Sequence, residues 1–447
     1  MSLFGTDGVR GLVGSEPITP HTMMKLGWAA GCVLAREGVS NKVLVGKDTR
    51  ISGYMMESAL EAGFAAAGVN VSLLGPMPTP GIAYLTRTAR ASAGVVISAS
   101  HNPFHDNGVK IFSSEGTKLD DALITRIDEK MQEPMVCVES DRIGRAERFS
   151  DAQGRYIELC KSTFPGHLNL SGISMVVDCA NGAGYEVAPR VFSELGADLT
   201  TIANQPDGFN INAECGSTYL NGLLETVKNQ NAQIGIALDG DGDRVLMIDE
   251  SGNVVDGDRI LFLLAEHRHK QGTLGGGVAG TLMTNLGLEQ ALAQRDIPFV
   301  RTKVGDRYVY EALVANDWLL GGENSGHIIC LDKNSTGDGI IAALQVLEVM
   351  VETQQSLSSL VAAMPLFPQV MVNVNVEGAN AKALVNAPGV IAAVKKSEAE
   401  LGKNGRIVLR PSGTEPLVRV MIEGSDHDQV NRLTNMIADE VRAAINA

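Results

Sequence analysis

Three carboxylates spaced two residues apart, Asp239, Asp241 and Asp243, close the run IALDGDGDR at residues 236–244. Like charges crowd in this way around a cation. The intervening Gly240 and Gly242 have no Cβ, which leaves the backbone free to fold the three oxygens inward. Hard oxygen ligands suit Mg²⁺, which holds near-octahedral geometry and takes its remaining ligands from water and phosphate. The pattern therefore implies a phosphate partner. An EF-hand loop shares the D-x-D-x-D spacing and has an acid at position twelve, here Glu250, but it needs Gly where this chain has Arg244. The VLMID that follows reads as a second strand, which no calcium loop supplies. An acidic surface turn is the plain alternative.

A second cluster, GVVISASHNP, sets Ser98, Ser100 and His101 just after a buried strand, with Asn102 and Pro103 turning the chain away. Exposed hydroxyls at the C-terminal end of a strand stand where α/β proteins build sites. The Ser–His pair invites a serine hydrolase, yet the nucleophile elbow requires G-x-S-x-G entering a helix, and the sequence here is Ala99-Ser100-His101-Asn102-Pro103. A structural turn is the other plain reading. Set against the aspartates, a serine could carry a phosphoryl group whose oxygen completes the metal's ligands. Three Asp and a phosphoserine bring about five negative charges to one divalent cation, so basic residues must balance them. Arg244, Lys110 and Arg10, the last in the Gly-rich GTDGVRG, are candidates. Each taken alone is equally a solvated surface charge.

WLLGGENSGH adds Glu323, Ser325 and His327 in a glycine-rich loop. A carboxylate and a hydroxyl two residues apart can hold neighbouring sugar hydroxyls, and the imidazole can move a proton or bind phosphate; a hairpin turn is the plain reading. RPSGTEPLVRV offers Arg410, Ser412, the Gly413 and Thr414 amides and Arg419, a donor-rich set that grips phosphate and also fits a hairpin between two strands.

The elements that must position these residues alternate. KVLVG, GVVIS, SMVVD, IGIAL and GGGVAG read as strands separated by helical periodicity, which implies α/β layers with largely parallel sheets. The first helix has Thr19 as N-cap and Pro20 at its first position. After Pro365 to Pro368 the pattern changes. VMVNVNVEG alternates with period two, RIVLR and LVRVMIEG are further strands, and Val430, Leu433, Met436, Ile437, Val441 and Ile445 form one face of a closing helix. At 447 residues the chain needs three or four domains. No short internal repeat stands out.

The net charge of −15 argues against nucleic acid or an anionic membrane as the main partner. The six cysteines are scattered without a C-x-x-C pair, as buried free thiols in a reducing cytoplasm would be. The N-terminus lacks signal-peptide character, and GIIAALQVLEVMV is too short and too polar to span a bilayer. A soluble cytoplasmic protein is expected.

Taken in order, FGTDGVRG, ISASHNPF with DNG, DGDGD, KVGDRYV, GGENSGH and RPSGTEP resemble the α-D-phosphohexomutase superfamily essentially from end to end. The pattern is most similar to its bacterial hexosamine-phosphate branch, although His105 stands where that family is expected to carry Tyr. The resemblance implies three related α/β domains with mixed sheets and a smaller, mobile α+β domain around one cleft. The expected spans are 1–150, 151–254, 255–367 and 368–447. It also implies phosphorylation of Ser100, and one Mg²⁺ per chain held by Asp239, Asp241, Asp243 and a phosphoserine oxygen. His101, Lys110, Arg10, Arg244 and His327 would serve the transfer. Glu323 and Ser325 would hold the sugar, with Arg410, Ser412, Gly413, Thr414 and Arg419 on its phosphate. The implied reaction interconverts glucosamine 6-phosphate and glucosamine 1-phosphate through a 1,6-bisphosphate, which also acts as activator, on the route to UDP-N-acetylglucosamine for the cell wall. A monomer or homodimer is expected. The same chemistry on glucose or mannose phosphates, a magnesium-dependent sugar phosphatase and a silent sugar-phosphate sensor are the rivals.

Overall fold

The computed structural model describes residues 3–5, 8–37, 41–412 and 416–445. Its central feature is one arrangement of strands used three times. Strand Ala93–Ile97 lies between a parallel neighbour, Lys42–Lys47, and an antiparallel one, Asp106–Ser113. Ile234–Leu238 sits in the same way between Ser174–Asp178 and Val245–Asp249, and Leu320–Gly322 between Val278–Thr281 and Ile328–Cys330. In each sheet a further parallel strand lies outside the first: Asn70–Pro76, Asp198–Ile202 and Phe299–Thr302. The sheets are mixed for a local reason. A parallel partner needs a helical crossover, whereas the short loops 98–105, 239–244 and 323–327 let the chain return only as a hairpin.

Those three hairpin loops leave the C-terminal ends of parallel strands, where open α/β sheets place their sites. Ala93–Ile97 and Ile234–Leu238 are buried along their whole length, as strands covered on both faces must be. No sequence repeat announces this threefold recurrence, because each sheet asks only for apolar runs of similar length. The first sheet adds Val9–Leu12 beside Asp106–Ser113 and Ala146–Arg148 beside Asn70–Pro76. The strand expected over GGGVAG begins only at Val278.

Helix Pro20–Glu37 starts as its sequence indicates, with the Thr22 amide donating to Thr19 Oγ1 at 3.3 Å. One continuous apolar core joins all three α/β units, from Leu44 through Val177 and Leu238 to Ile260 and Leu344. The C-terminal unit has its own core. There Gln369–Asn375, Leu417–Gly424 and Gly405–Pro411 form an antiparallel sheet under helices Pro388–Leu401 and His427–Ile445. Val430, Leu433, Ile437 and Val441 are fully buried, while Met436 and Ile445 pack at the rim. Of the cysteines, Cys160, Cys179, Cys215 and Cys330 are buried; Cys32 is half-buried and Cys137 is exposed, contrary to expectation. Among the described residues no helix is long and apolar enough to cross a membrane.

Candidate active site

Ser100 follows the buried strand Ala93–Ile97 and adopts φ +52°, a left-handed conformation that a non-glycine residue holds only when its surroundings impose it. The surroundings are two donors that sequence reasoning missed. The fully buried Arg50 guanidinium donates to the Ser100 carbonyl at 3.2 Å and also to that of Asn102. From the second α/β unit, Asn212 Nδ2 donates to the same two carbonyls, each at 2.9 Å. Arg50 is in turn paired with Asp48. The Asp-x-Arg after KVLVG was a usable signal for this pair; nothing in NINAECG marks Asn212. Ser100 was expected at an exposed strand end, yet it is only 1 % exposed, because the aspartate loop closes over it. Its Oγ donates to Asp239 Oδ2 at 2.6 Å and lies 3.3 Å from His101 Nδ1.

The aspartate loop turns the hairpin between Ile234–Leu238 and Val245–Asp249. Backbone amides from all three α/β units pin it. Thr79 donates to the Asp241 carbonyl at 2.9 Å, Ala183 to Gly240 at 2.8 Å and Gly339 to Gly242 at 3.1 Å. The two glycines have different reasons. Gly242 supplies φ +72°, whereas a Cβ on Gly240 would sit 2.6 Å from the Ser100 carbonyl oxygen. Gly240 is thus required by the approach of the serine loop more than by the folding of the oxygens.

Asp239, Asp241 and Asp243 each offer a carboxylate oxygen within 4.8 Å of the others, and all three are buried. Asp241 Oδ2 accepts from Thr79 Oγ1 at 2.6 Å and from Lys110 Nζ at 2.9 Å; the same ammonium stands 3.4 Å from Asp243 Oδ2. Asp241 Oδ1 and Asp243 Oδ1 are buried and, among the described residues, have no hydrogen bond. Burial, with Asp241 and Asp243 alongside, pushes the Asp239 carboxyl well above the usual range. Burial also acts against ionised Asp243, but Lys110 and His327 hold it well below. Uncapped buried oxygens and mutually repelling carboxylates are the chemistry of a divalent-cation site.

The remaining expected groups gather round this centre. The Arg244 amide donates to Asp239 Oδ1 at 3.1 Å and its guanidinium to His101 Nδ1 at 3.3 Å. Burial, reinforced by Arg244 and Arg10, pushes the His101 pKa down to about 4. His327 lies 3.7 Å from Asp243 Oδ1; burial opposes its charge, but Asp243, Asp306 and Glu323 raise its pKa to about 9. A cavity of about 280 Å³ is bounded by Arg10, Asp243, Arg244, Glu323 and His327, with Val304 to Tyr308 forming another wall. Glu323 Oε1 accepts from the Gly305 amide at 3.0 Å, so the GENSGH segment is both a hairpin turn and a cavity wall. Ser325 is half-buried and, like Arg410 and Arg419, is not part of that lining.

Arg410 and Arg419 stand directly opposite each other on Gly405–Pro411 and Leu417–Gly424, and the Ser412 amide donates to the Leu417 carbonyl at 2.8 Å. Two cations in register repel, and burial together with Arg419 lowers the pKa of Arg410. An anion between them would relieve both. Gly413 and Thr414 lie outside the described residues.

A buried serine bonded to a three-carboxylate centre, at the junction of three like α/β units, defines a phosphosugar mutase framework, and the chain belongs to the phosphoglucomutase/phosphomannomutase family. The family's alpha/beta/alpha domain I matches residues 1–135, domain II 155–252, domain III 256–367 and the C-terminal domain 371–440. Relatives along the whole chain are phosphoglucosamine mutases. That of Proteus mirabilis is 58 % identical over 98 % of both chains, and that of Legionella pneumophila 57 % over 98 % of this chain and 96 % of its own. Among solved structures, a phosphoglucomutase/phosphomannomutase family protein from Burkholderia thailandensis superposes with a TM-score of 0.82 at 23 % identity, covering 99 % of this chain and 97 % of the other. An Aspergillus fumigatus N-acetylphosphoglucosamine mutase, in complex with GlcNAc-6P and magnesium, gives 0.69 at 19 % identity, covering 99 % and 95 %.

Proposed function

We propose that this enzyme interconverts glucosamine 6-phosphate and glucosamine 1-phosphate by way of a phosphorylated Ser100. The observation that carries this reading is the 2.6 Å bond from Ser100 Oγ to Asp239, inside a buried triad in which Asp241 Oδ1 and Asp243 Oδ1 have no hydrogen bond among the described residues. Full-length relatives at 57–58 % identity named phosphoglucosamine mutase support the choice of amino sugar. The product would supply UDP-N-acetylglucosamine synthesis.

Asp239, Asp241 and Asp243 would hold one Mg²⁺ per chain, with an oxygen of the Ser100 phosphate as a further ligand. When bound, the cation draws charge from the transferring phosphoryl group. In the first half-reaction the C1 hydroxyl of glucosamine 6-phosphate attacks phosphorus, the P–Oγ bond to Ser100 breaks, and the hydroxyl proton passes to a neighbouring base. The resulting 1,6-bisphosphate turns over in the cleft. Ser100 Oγ then attacks the 6-phosphorus, the P–O6 bond breaks, O6 takes back the proton held by that base, and glucosamine 1-phosphate leaves. Added bisphosphate activates the enzyme by phosphorylating Ser100.

Lys110 and His327 are the proton-carrying groups beside the triad, with His101 against the serine oxygen; Arg10 and Arg244 offset charge on the phosphate in transit. Glu323 and Ser325 hold neighbouring sugar hydroxyls, whose places exchange when the ring turns. Arg410 and Arg419, with Ser412 and the Gly413 and Thr414 amides, grip the phosphate that is not reacting. Phosphoryl transfer depends on positioning and electrostatics, and this chain supplies both from residues held by backbone contacts.

The test is ³¹P NMR of the purified enzyme with Mg²⁺ and a trace of hexose bisphosphate, with glucosamine, glucose and mannose 6-phosphates supplied separately and Ser100→Ala as control. Preferential formation of glucosamine 1-phosphate, lost in Ser100→Ala, is expected. Preference for glucose or mannose would change the substrate, free phosphate alone would mean a phosphatase, and an active Ser100→Ala would overturn the serine's role.

A further inference from the structure

The segment KVGDRYV, residues 303–309, has no part in the transfer just described, yet it walls the cavity at Val304, Gly305, Asp306, Arg307 and Tyr308. Asp306 opens the helix Asp306–Asn316 and divides its two oxygens. Oδ1 accepts from Lys118 Nζ at 2.7 Å and from the Arg307 amide at 2.8 Å. Oδ2 stands 3.7 Å from His327 Nε2. That distance is an ionic contact, longer than a hydrogen bond.

His327 is 3 % exposed, and among the described residues its Nε2 has no hydrogen bond. The other ring nitrogen, Nδ1, is 3.7 Å from Asp243 Oδ1. One ring is thus held between a carboxylate of the aspartate loop and a carboxylate of the KVGDRYV segment. A third contact limits it further, since a Cβ on Gly337 would come within 2.3 Å of Nε2. The ring therefore packs directly on backbone at that side. A buried imidazole that must meet a reacting oxygen needs its plane fixed, and a carboxylate facing the far nitrogen does this in many sites.

We propose that Asp306 is a positioning residue for phosphoryl transfer, acting through His327, with the Arg307 amide fixing its other oxygen, so that the ring contact and not the Lys118 pair carries the effect. The inference rests on the mutase reading and on the role given there to His327. Its neighbour Gly305 positions Glu323 by a backbone bond, so one short segment aligns two side chains of the sugar loop.

A double-mutant cycle on the full-length enzyme tests this, using Asp306→Asn, His327→Gln and the pair, with Lys118→Met as a separate control. General acid–base groups contribute about 10²–10⁴ in rate, so loss of orientation should lower kcat by roughly tenfold or more while KM stays within about twofold. In the His327→Gln background the same Asp306→Asn change should cost less than about twofold, since its effect runs through the missing ring. Lys118→Met should leave kcat within about twofold of wild type. Should Asp306→Asn fail to accumulate folded, Asp306→Ser, which still accepts from the Arg307 amide, makes the same comparison. Additive losses, an unchanged kcat in Asp306→Asn, or a Lys118→Met variant as slow as Asp306→Asn would overturn the inference while leaving the mutase reading standing. A wild type without mutase turnover would overturn both.

Discussion

At the scale of single residues, the closest constraint is the meeting of Gly240 with the serine loop. A methyl group there would stand 2.6 Å from the Ser100 carbonyl oxygen and 2.8 Å from Asn212 Nδ2. Backbone cannot swing aside as a side chain can, so Gly240→Ala must separate the aspartate loop from Ser100. Misplacement of about 1 Å can cost about 10²-fold in rate, and kcat should fall by about that much in a protein that still folds. Gly222→Ala, which meets nothing within 4 Å among the described residues, is the control and should leave kcat unchanged. Wild-type kcat in Gly240→Ala would remove the claim that this contact sets the geometry. The cation is a different matter. Asp241 is already held by Thr79 and Lys110, and Asp239 by Ser100 and the Arg244 amide. Chelation with EDTA should therefore abolish turnover reversibly while the melting temperature stays near its original value. A collapse in melting temperature on chelation would mean that the ion is part of the fold.

At the scale of elements, chemistry was more legible than placement. The Asp triad, Ser100 and His327 can be singled out because their residue types and spacing suit phosphate and cation chemistry. Arg50 and Asn212 could not, since their task is to hold two carbonyls that come together only after two sheets have packed. The recurrence of one strand order in three sheets is legible through the family resemblance and not through the residue pattern, because a hairpin and a parallel crossover make the same demand on an apolar run. Another such staple is Asp338, which caps helix Gly339–Thr353 through the Ile340 and Ile341 amides and accepts from Tyr156 Oη at 2.8 Å and from Asn334. Despite these donors, burial pushes its pKa up to about 6. The folded value lies above the unfolded one, so the contribution to stability is full below about pH 4, where both states are protonated, and is lost as pH rises through about 6. Asp338→Asn removes the titration. The stability of the wild type relative to that variant should thus grow by about 1.4 kcal/mol between pH 7.5 and pH 5, read as a widening difference in melting temperature. A difference independent of pH would mean that Asp338 keeps an ordinary carboxylate pKa.

At the scale of the whole molecule, one core unites the three α/β units while the C-terminal unit, which carries Arg410 and Arg419, has a core of its own. Side-chain hydrogen bonds join the two. Arg406, on the strand that also bears Arg410, donates to the Leu282 carbonyl at 2.8 Å and to that of Thr284 at 2.6 Å, and is paired behind with the buried Glu423. The linker is clasped separately, by Asn285 Nδ2 to the Phe367 carbonyl at 3.0 Å and from the Phe367 amide back to Asn285 Oδ1 at 3.1 Å. Two neutral acceptors make a seat that can be left and retaken, as the proposed turning of an intermediate in the cleft requires. Arg406→Lys keeps the charge for Glu423 but loses the fork that reaches two carbonyls at once. Each lost hydrogen bond is worth about 1 kcal/mol, which would favour the unseated arrangement by roughly fivefold. Because Arg410 and Arg419, the proposed phosphate grip, lie on this unit, KM for glucosamine 6-phosphate should rise by a similar factor while kcat at saturation changes little. Cleavage at the linker, residues 365–368, by a protease in trace amounts should also accelerate. If both KM and cleavage rate stay at the wild-type values, the Asn285 clasp alone holds the unit in place and Arg406 serves only its pairing with Glu423.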